Sequence, residues 1–156
     1  MILYSNGSGE EEEPLLKLGS MISGLSNHSP PDIVILKLGT NDLTQLSALA
    51  TGSTINDLAN LLYESYHVQK ICVCQTLYRE NAPLFNKQVN ILTKYLKVVL
   101  EPFPYVLYWK HMAFWNCKSG FYHRDGIHLN ILGQYKLYRS LRRTILECWR
   151  ALSAAS

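Results

Sequence analysis

The feature that most constrains this chain is its alternation of short aliphatic runs with longer amphipathic stretches. Ile33-Val34-Ile35-Leu36 is an unbroken β-branched and aliphatic run that ends near Gly39. A strand with one wet face would alternate apolar and polar residues, so a continuous run implies cover on both faces, as in a parallel sheet. Lys70-Ile71-Cys72-Val73-Cys74 reads as a second strand and Tyr105-Val106-Leu107-Tyr108-Trp109 as a third. Between the first two, Ile55, Leu58, Leu61, Leu62 and Tyr66 form a helical stripe, with Ser53 or Thr54 expected as its cap. Between the second and third, Pro83 suits the first turn of a helix. Phe85, Val89, Leu92, Leu96 and Val99 follow at three- and four-residue spacing, and Pro102 and Pro104 stop the helix. A loop from Lys110 to about Leu129 precedes a last helix starting near Asn130, with Ile131, Tyr135, Tyr138, Leu141, Ile145 and Trp149 expected on its buried side.

Strands that alternate with helices require right-handed crossovers and helices on both faces of the sheet. The expected fold class is therefore α/β, a three-layer α/β/α arrangement around a parallel sheet. Ligands of such sheets bind beyond the carboxyl ends of the strands. A length of 156 residues fits one domain. Residues 1–18, which contain the acidic run Glu10 to Glu13, read as an irregular segment. Residues 19–150 read as the domain, and 151–156 as a tail.

Charge and cysteines narrow the function classes. The first thirty residues are acidic and the remainder basic, within a net charge of +3. Lys136, Arg139, Arg142, Arg143 and Arg150 make the last segment basic. Such a stripe is either a solvated helix face or a phosphate-binding surface. Tyr135, Tyr138 and Trp149 are expected in the core and not as stacking platforms, so nucleic acid is not the expected partner. The four cysteines form no C-x-x-C pair, which leaves a zinc or redox site without support. Two positions apart on a strand, Cys72 and Cys74 should point the same way as small buried hydrophobes. No apolar run reaches the roughly 18–20 residues needed to span a bilayer. The first residues carry no basic and apolar leader pattern, so a cytoplasmic setting is expected. Oligomeric state is not legible.

Two constellations carry chemistry, and both follow predicted sheet or loop elements. Gly39-Thr40-Asn41-Asp42 comes directly after the first strand. An asparagine amide there can donate a hydrogen bond to a developing oxyanion. The same residues are also ordinary turn and helix-cap formers. Asp125-Gly126-Ile127-His128 lies in the loop before the last helix. Histidine takes and returns a proton near neutral pH, and a neighbouring carboxylate can hold its tautomer. Alternatively, Asp125 caps a turn and His128 is a polar residue at a helix start.

Taken together, the blocks are more specific. "PDIVILKLGTNDL" (Pro31 to Leu43) resembles the third conserved block of the SGNH, or GDSL-type, ester hydrolases. "DGIHLNILGQ" (Asp125 to Gln134), including Asn130 and Gly133, resembles their fifth. The helix with Asn86, Val89 and Asn90 resembles the segment between them. The resemblance implies a flavodoxin-like fold and acyl-ester hydrolysis by a Ser-His-Asp mechanism, with no metal or cofactor and an ester substrate of unread class. It implies His128 as general base, Asp125 as its orienting partner, Asn41 as an oxyanion donor, and Gly19 (or Gly24) as a second, backbone donor.

The family's first block, a strand followed by Gly-Asp-Ser, is not found. Ser8 is the nearest echo of its nucleophile, yet it stands too close to Gly19 for the helix and strand that separate those blocks, and Ser5 fares no better. The first strand is thus expected to be truncated or missing, which would leave the strand at Ile33 with an unpaired edge unless Ile2 to Tyr4 fills the place. A non-catalytic remnant or binding module, of mobile-element style, is the alternative to an active hydrolase.

Overall fold

A computed structural model describes residues 2–5 by their backbone, and residues 29–115 and 119–155. Four strands, β1 (Ile2–Ser5), β2 (Ile33–Lys37), β3 (Lys70–Cys74) and β4 (Val106–Trp109), form one sheet in the order β1-β2-β3-β4. Every neighbouring pair is parallel. The described helices are α1 (Asp42–Gln45), α2 (Ala48–Glu64), α3 (Pro83–Leu100) and α4 (Ile131–Ala155). Two 3-10 turns, Met112–Phe114 and Ser119–Phe121, lie between β4 and α4.

The period-two alternation of strand side chains splits the aliphatic runs between two cores. On one face Val34, Leu36, Ile71 and Val73 pack against Ile55, Leu58 and Leu62 of α2 and Val89, Leu92 and Leu96 of α3. On the other, Ile33, Ile35, Cys72 and Cys74 meet Cys148, Leu141, Ile145 and Leu152 of α4. This is the three-layer α/β/α arrangement. It explains why β2 carries no polar residue from Ile33 to Leu36: all four are buried. Burying one such side chain contributes about 1.5–3 kcal/mol. Cys72 and Cys74 share a face and are buried free thiols, as their spacing implies.

Three expectations change. Ile2–Ser5, read as part of an irregular segment, is a strand that pairs with β2 from Ile2↔Val34 to Ser5↔Lys37. The edge of β2 is therefore occupied. The helix expected to start at Ser53 or Thr54 starts at Ala48, because Ser47 Oγ accepts a hydrogen bond from Ala50 N at 3.2 Å. The last helix is turned. Tyr138 (64% exposed) and Trp149 (59%) face solvent, as do Ile131 and Tyr135. Leu141, Thr144, Ile145, Cys148 and Leu152 face the sheet or are buried against it. At 3.6 residues per turn this face lies about a quarter turn from the predicted one.

Candidate active site

Loops from three elements meet beyond the carboxyl ends of the strands. The chain leaves β2 through Leu38 and Gly39, whose φ of +96° is left-handed. A Cβ at Gly39 would stand 2.7 Å from Thr76 Oγ1, which itself donates to Leu38 O at 2.9 Å. Only glycine meets both demands. The turn delivers Asn41 to the start of α1. Its backbone carbonyl accepts from Thr44 N (3.0 Å) and Thr44 Oγ1 (2.6 Å). Its side chain makes no cap hydrogen bond.

Asp125 and His128 occupy the tip of a tight turn. Tyr122 and Leu129 form an antiparallel bridge at its base, and His123 N donates to His128 O at 2.8 Å. Asn130 secures the turn to α4: its Oδ1 accepts from Gly133 N at 2.9 Å, while its Nδ2 donates to the carbonyls of Gly120 and Tyr122. Gly126, at φ +67°, makes the turn possible. Within it Asp125 Oδ1 accepts from Ile127 N (2.9 Å) and His128 N (3.0 Å), and Asp125 Oδ2 lies 2.6 Å from His128 Nδ1. The hydrogen bond with His128, then the two backbone N–H groups, hold the Asp125 carboxyl well below the usual carboxylate range. An imidazole that gives its Nδ1–H to this carboxylate presents Nε2 as its basic nitrogen. Both side chains are open to solvent, 56% for His128 and 44% for Asp125.

A third loop, following β3, ties the two constellations together. Arg79 Nη2 donates to Thr40 O at 3.2 Å, beside Asn41. Next to it, Glu80 N donates to Gly126 O at 2.8 Å, inside the Asp125–His128 turn. A Cβ on Gly126 would come within 2.8 Å of Glu80 Cβ, so the two loops are in close contact. Tyr122 Oη donates to Tyr78 O at 2.6 Å. Asn86, at the start of α3, clamps this bridge from behind: its Oδ1 accepts from Arg79 N (2.9 Å) and its Nδ2 donates to Arg79 O (2.8 Å). The Arg79 guanidinium also stacks on Phe85 at 4.2 Å, and burial lowers its pKa from the ordinary value.

Sequence reasoning found both constellations but missed Arg79, Glu80 and Tyr122. The signal for the first two was their place: a polar stretch, Tyr78 to Asn81, just past the carboxyl end of a buried strand. Of the remaining site expectations, Gly19, Gly24 and Ser8 lie outside the described residues. Ser5 ends β1, opposite Lys37, at the same carboxyl edge of the sheet as Gly39. His111, in the loop after β4, is fully buried, with Nδ1 2.8 Å from Ser140 Oγ.

A parallel sheet between helical layers, with its polar constellations gathered at one carboxyl edge, defines a three-layer α/β/α protein. The chain belongs to the GDSL-like lipase/acylhydrolase family, whose model matches residues 5–141. No curated protein sequence matches it. Among solved structures it is similar to a Streptococcus pneumonia protein described as a candidate platelet activating factor, at 17% identity and a TM-score of 0.62. The likeness covers 72% of this chain and 59% of that one, so the chain spans well under two thirds of the length of that structure.

Proposed function

We propose that this chain carries out acyl-ester hydrolysis by a Ser-His-Asp route. The observation that carries the reading is the Asp125–His128 pair: a carboxylate fixed by two backbone N–H groups and set 2.6 Å from Nδ1 of the imidazole. His128 is the general base through Nε2. It takes the proton of a serine hydroxyl as that oxygen attacks the ester carbonyl. The tetrahedral oxyanion is stabilised by the Asn41 amide and by a backbone N–H at Gly19. The proton passes from His128 to the leaving alkoxide. Water, deprotonated by the same imidazole, then releases the acid from the acyl-enzyme. This chemistry needs no cofactor. Ser8 and Ser5 are the serines to test as nucleophile.

A second reading, a non-catalytic SGNH-type binding module, rests on a specific observation: no Gly-Asp-Ser occurs anywhere in the chain. One experiment separates the two. The purified protein is treated with a fluorophosphonate probe, mapped by mass spectrometry, and assayed on a short-chain chromogenic ester beside His128→Ala. Stoichiometric labelling of one serine, with hydrolysis that disappears in the variant, supports the hydrolase. No labelling, with equal background rates for both proteins, supports the binding module.

A further inference from the structure

A cleft of about 390 Å³, none of whose lining residues belongs to the Asp125–His128 turn, opens between the end of β4, the Met112–Phe114 turn and α4. We infer that it is a binding site for an amphipathic anion, a carboxylate or similar acidic head on an unbranched apolar body. Its chemistry is two-sided. Lys110 comes from one wall, and Lys136, Arg139 and Arg143 from the other, with no carboxylate among the lining residues. The three on α4 are spaced i, i+3 and i+7, so they share one helix face, where like charges repel one another. Among the described residues none of the four makes an ion pair, whereas Arg150 on the same helix is paired with Glu147 at 2.7 Å. An unneutralised set of cations around a concavity favours an anion.

Trp109, Met112 and Ala113 make the rest of the lining apolar, apart from Ser140, whose Oγ is taken up by Trp109 and His111. Trp109 donates its indole N–H to Ser140 Oγ at 3.0 Å, which commits its polar edge to the protein and leaves ring carbon for the cleft. Met112 is 68% exposed at the rim, a flexible and polarisable side chain suited to an alkyl body. The volume lies within the range of small-ligand sites, about 300–1,000 Å³. A polynucleotide offers no alkyl body to such a wall, and Arg142, which a basic stripe would include, does not line the cleft.

The test uses decanoate below its micelle concentration as the probe, followed by two-dimensional NMR, so it does not depend on catalysis. Saturable one-to-one binding is expected, with shift changes centred on the Trp109 indole N–H, Ala113 and Arg139. Decan-1-ol and the Arg139→Glu/Arg143→Glu variant should each weaken binding at least about tenfold, the scale of losing one or two partly exposed charge contacts. Arg139→Lys/Arg143→Lys should retain binding, and Ala113→Phe should block it with the charges intact. Thermal unfolding of each variant shows that it is folded. The inference is overturned if decan-1-ol binds as tightly as decanoate, or if the double glutamate variant binds unchanged. It is also overturned if only phosphatidylglycerol vesicles or a single-stranded oligonucleotide bind, which would make the face a membrane or nucleic-acid surface.

Discussion

Asp125 shows how little sequence is needed to fix an imidazole against a carboxylate. With Ile127 N, His128 N and the His128 ring all directed at one carboxylate, a four-residue turn holds both groups together. Asp125→Asn keeps an oxygen for the backbone N–H groups but offers an amide where the imidazole needs an acceptor. The wrong tautomer should then be held, and any His128-dependent ester hydrolysis should fall by about 10²–10⁴-fold in kcat with little change in thermal stability. The same pair predicts a pH response. Asp125's folded pKa lies below its unfolded one, so its contribution is present above the unfolded value and lost as pH falls through the folded value. The carboxyl-carbon resonance of Asp125 should therefore titrate below the usual carboxylate range. Titration within that range would contradict the hydrogen bonding. Gly126→Ala tests the turn itself. With φ at +67° and Glu80 Cβ at 2.8 Å from the new methyl, a loss of about 1–3 kcal/mol in chemical denaturation is expected.

At the scale of elements, the β3–α3 loop is the joint of the site. Arg79 and Glu80 reach in opposite directions, to Thr40 and to Gly126, and Asn86 holds the backbone from which both reach. Asn86→Ala deletes two partly buried hydrogen bonds and should cost about 1–3 kcal/mol, read by urea denaturation. Its amide shift changes should extend to Asn41 and His128, although Asn86 touches neither. Helix α4 is a second element whose role could be checked by contrast. Ile145→Ala, partly buried against the Cys72–Cys148 core, should cost about 1–3 kcal/mol, while Tyr138→Ser on the exposed face should stay within about 0.5 kcal/mol of the parent. The predicted stripe for this helix counted apolar residues, and α4 has apolar residues on more than one side. Thr144, Gly133 and Cys148 sit on the buried face with little hydrophobic signal of their own.

For the whole molecule, the sheet decides what is stable and what is reachable. β1 pairs with β2 from Val34 to Lys37. Removing residues 1–5 should expose the β2 edge and produce concentration-dependent association in size-exclusion chromatography. Unchanged monodisperse behaviour would show that the pairing carries little weight. Among the described residues no helix is long and apolar enough to cross a membrane.

The sequence alone was enough for those parts of the protein whose physics is local. Short apolar runs bounded by turn residues and rich in β-branched or aromatic side chains favour strands over helices, so β2, β3 and β4 were legible nearly to the residue. Gly39-Thr40-Asn41 and Asp125 to His128 were legible because each constellation is written within four consecutive residues that make its turn and carry its polar groups. The tertiary structure decided everything that depends on a partner distant in the chain. Which side of α4 is buried follows from the sheet it meets and not from its own periodicity. Whether Ile2–Ser5 is a strand depends on the free edge of β2, thirty residues later. That Arg79 and Glu80 join the two constellations depends on carbonyls of Thr40 and Gly126, which are adjacent only after the sheet has brought the ends of its strands together.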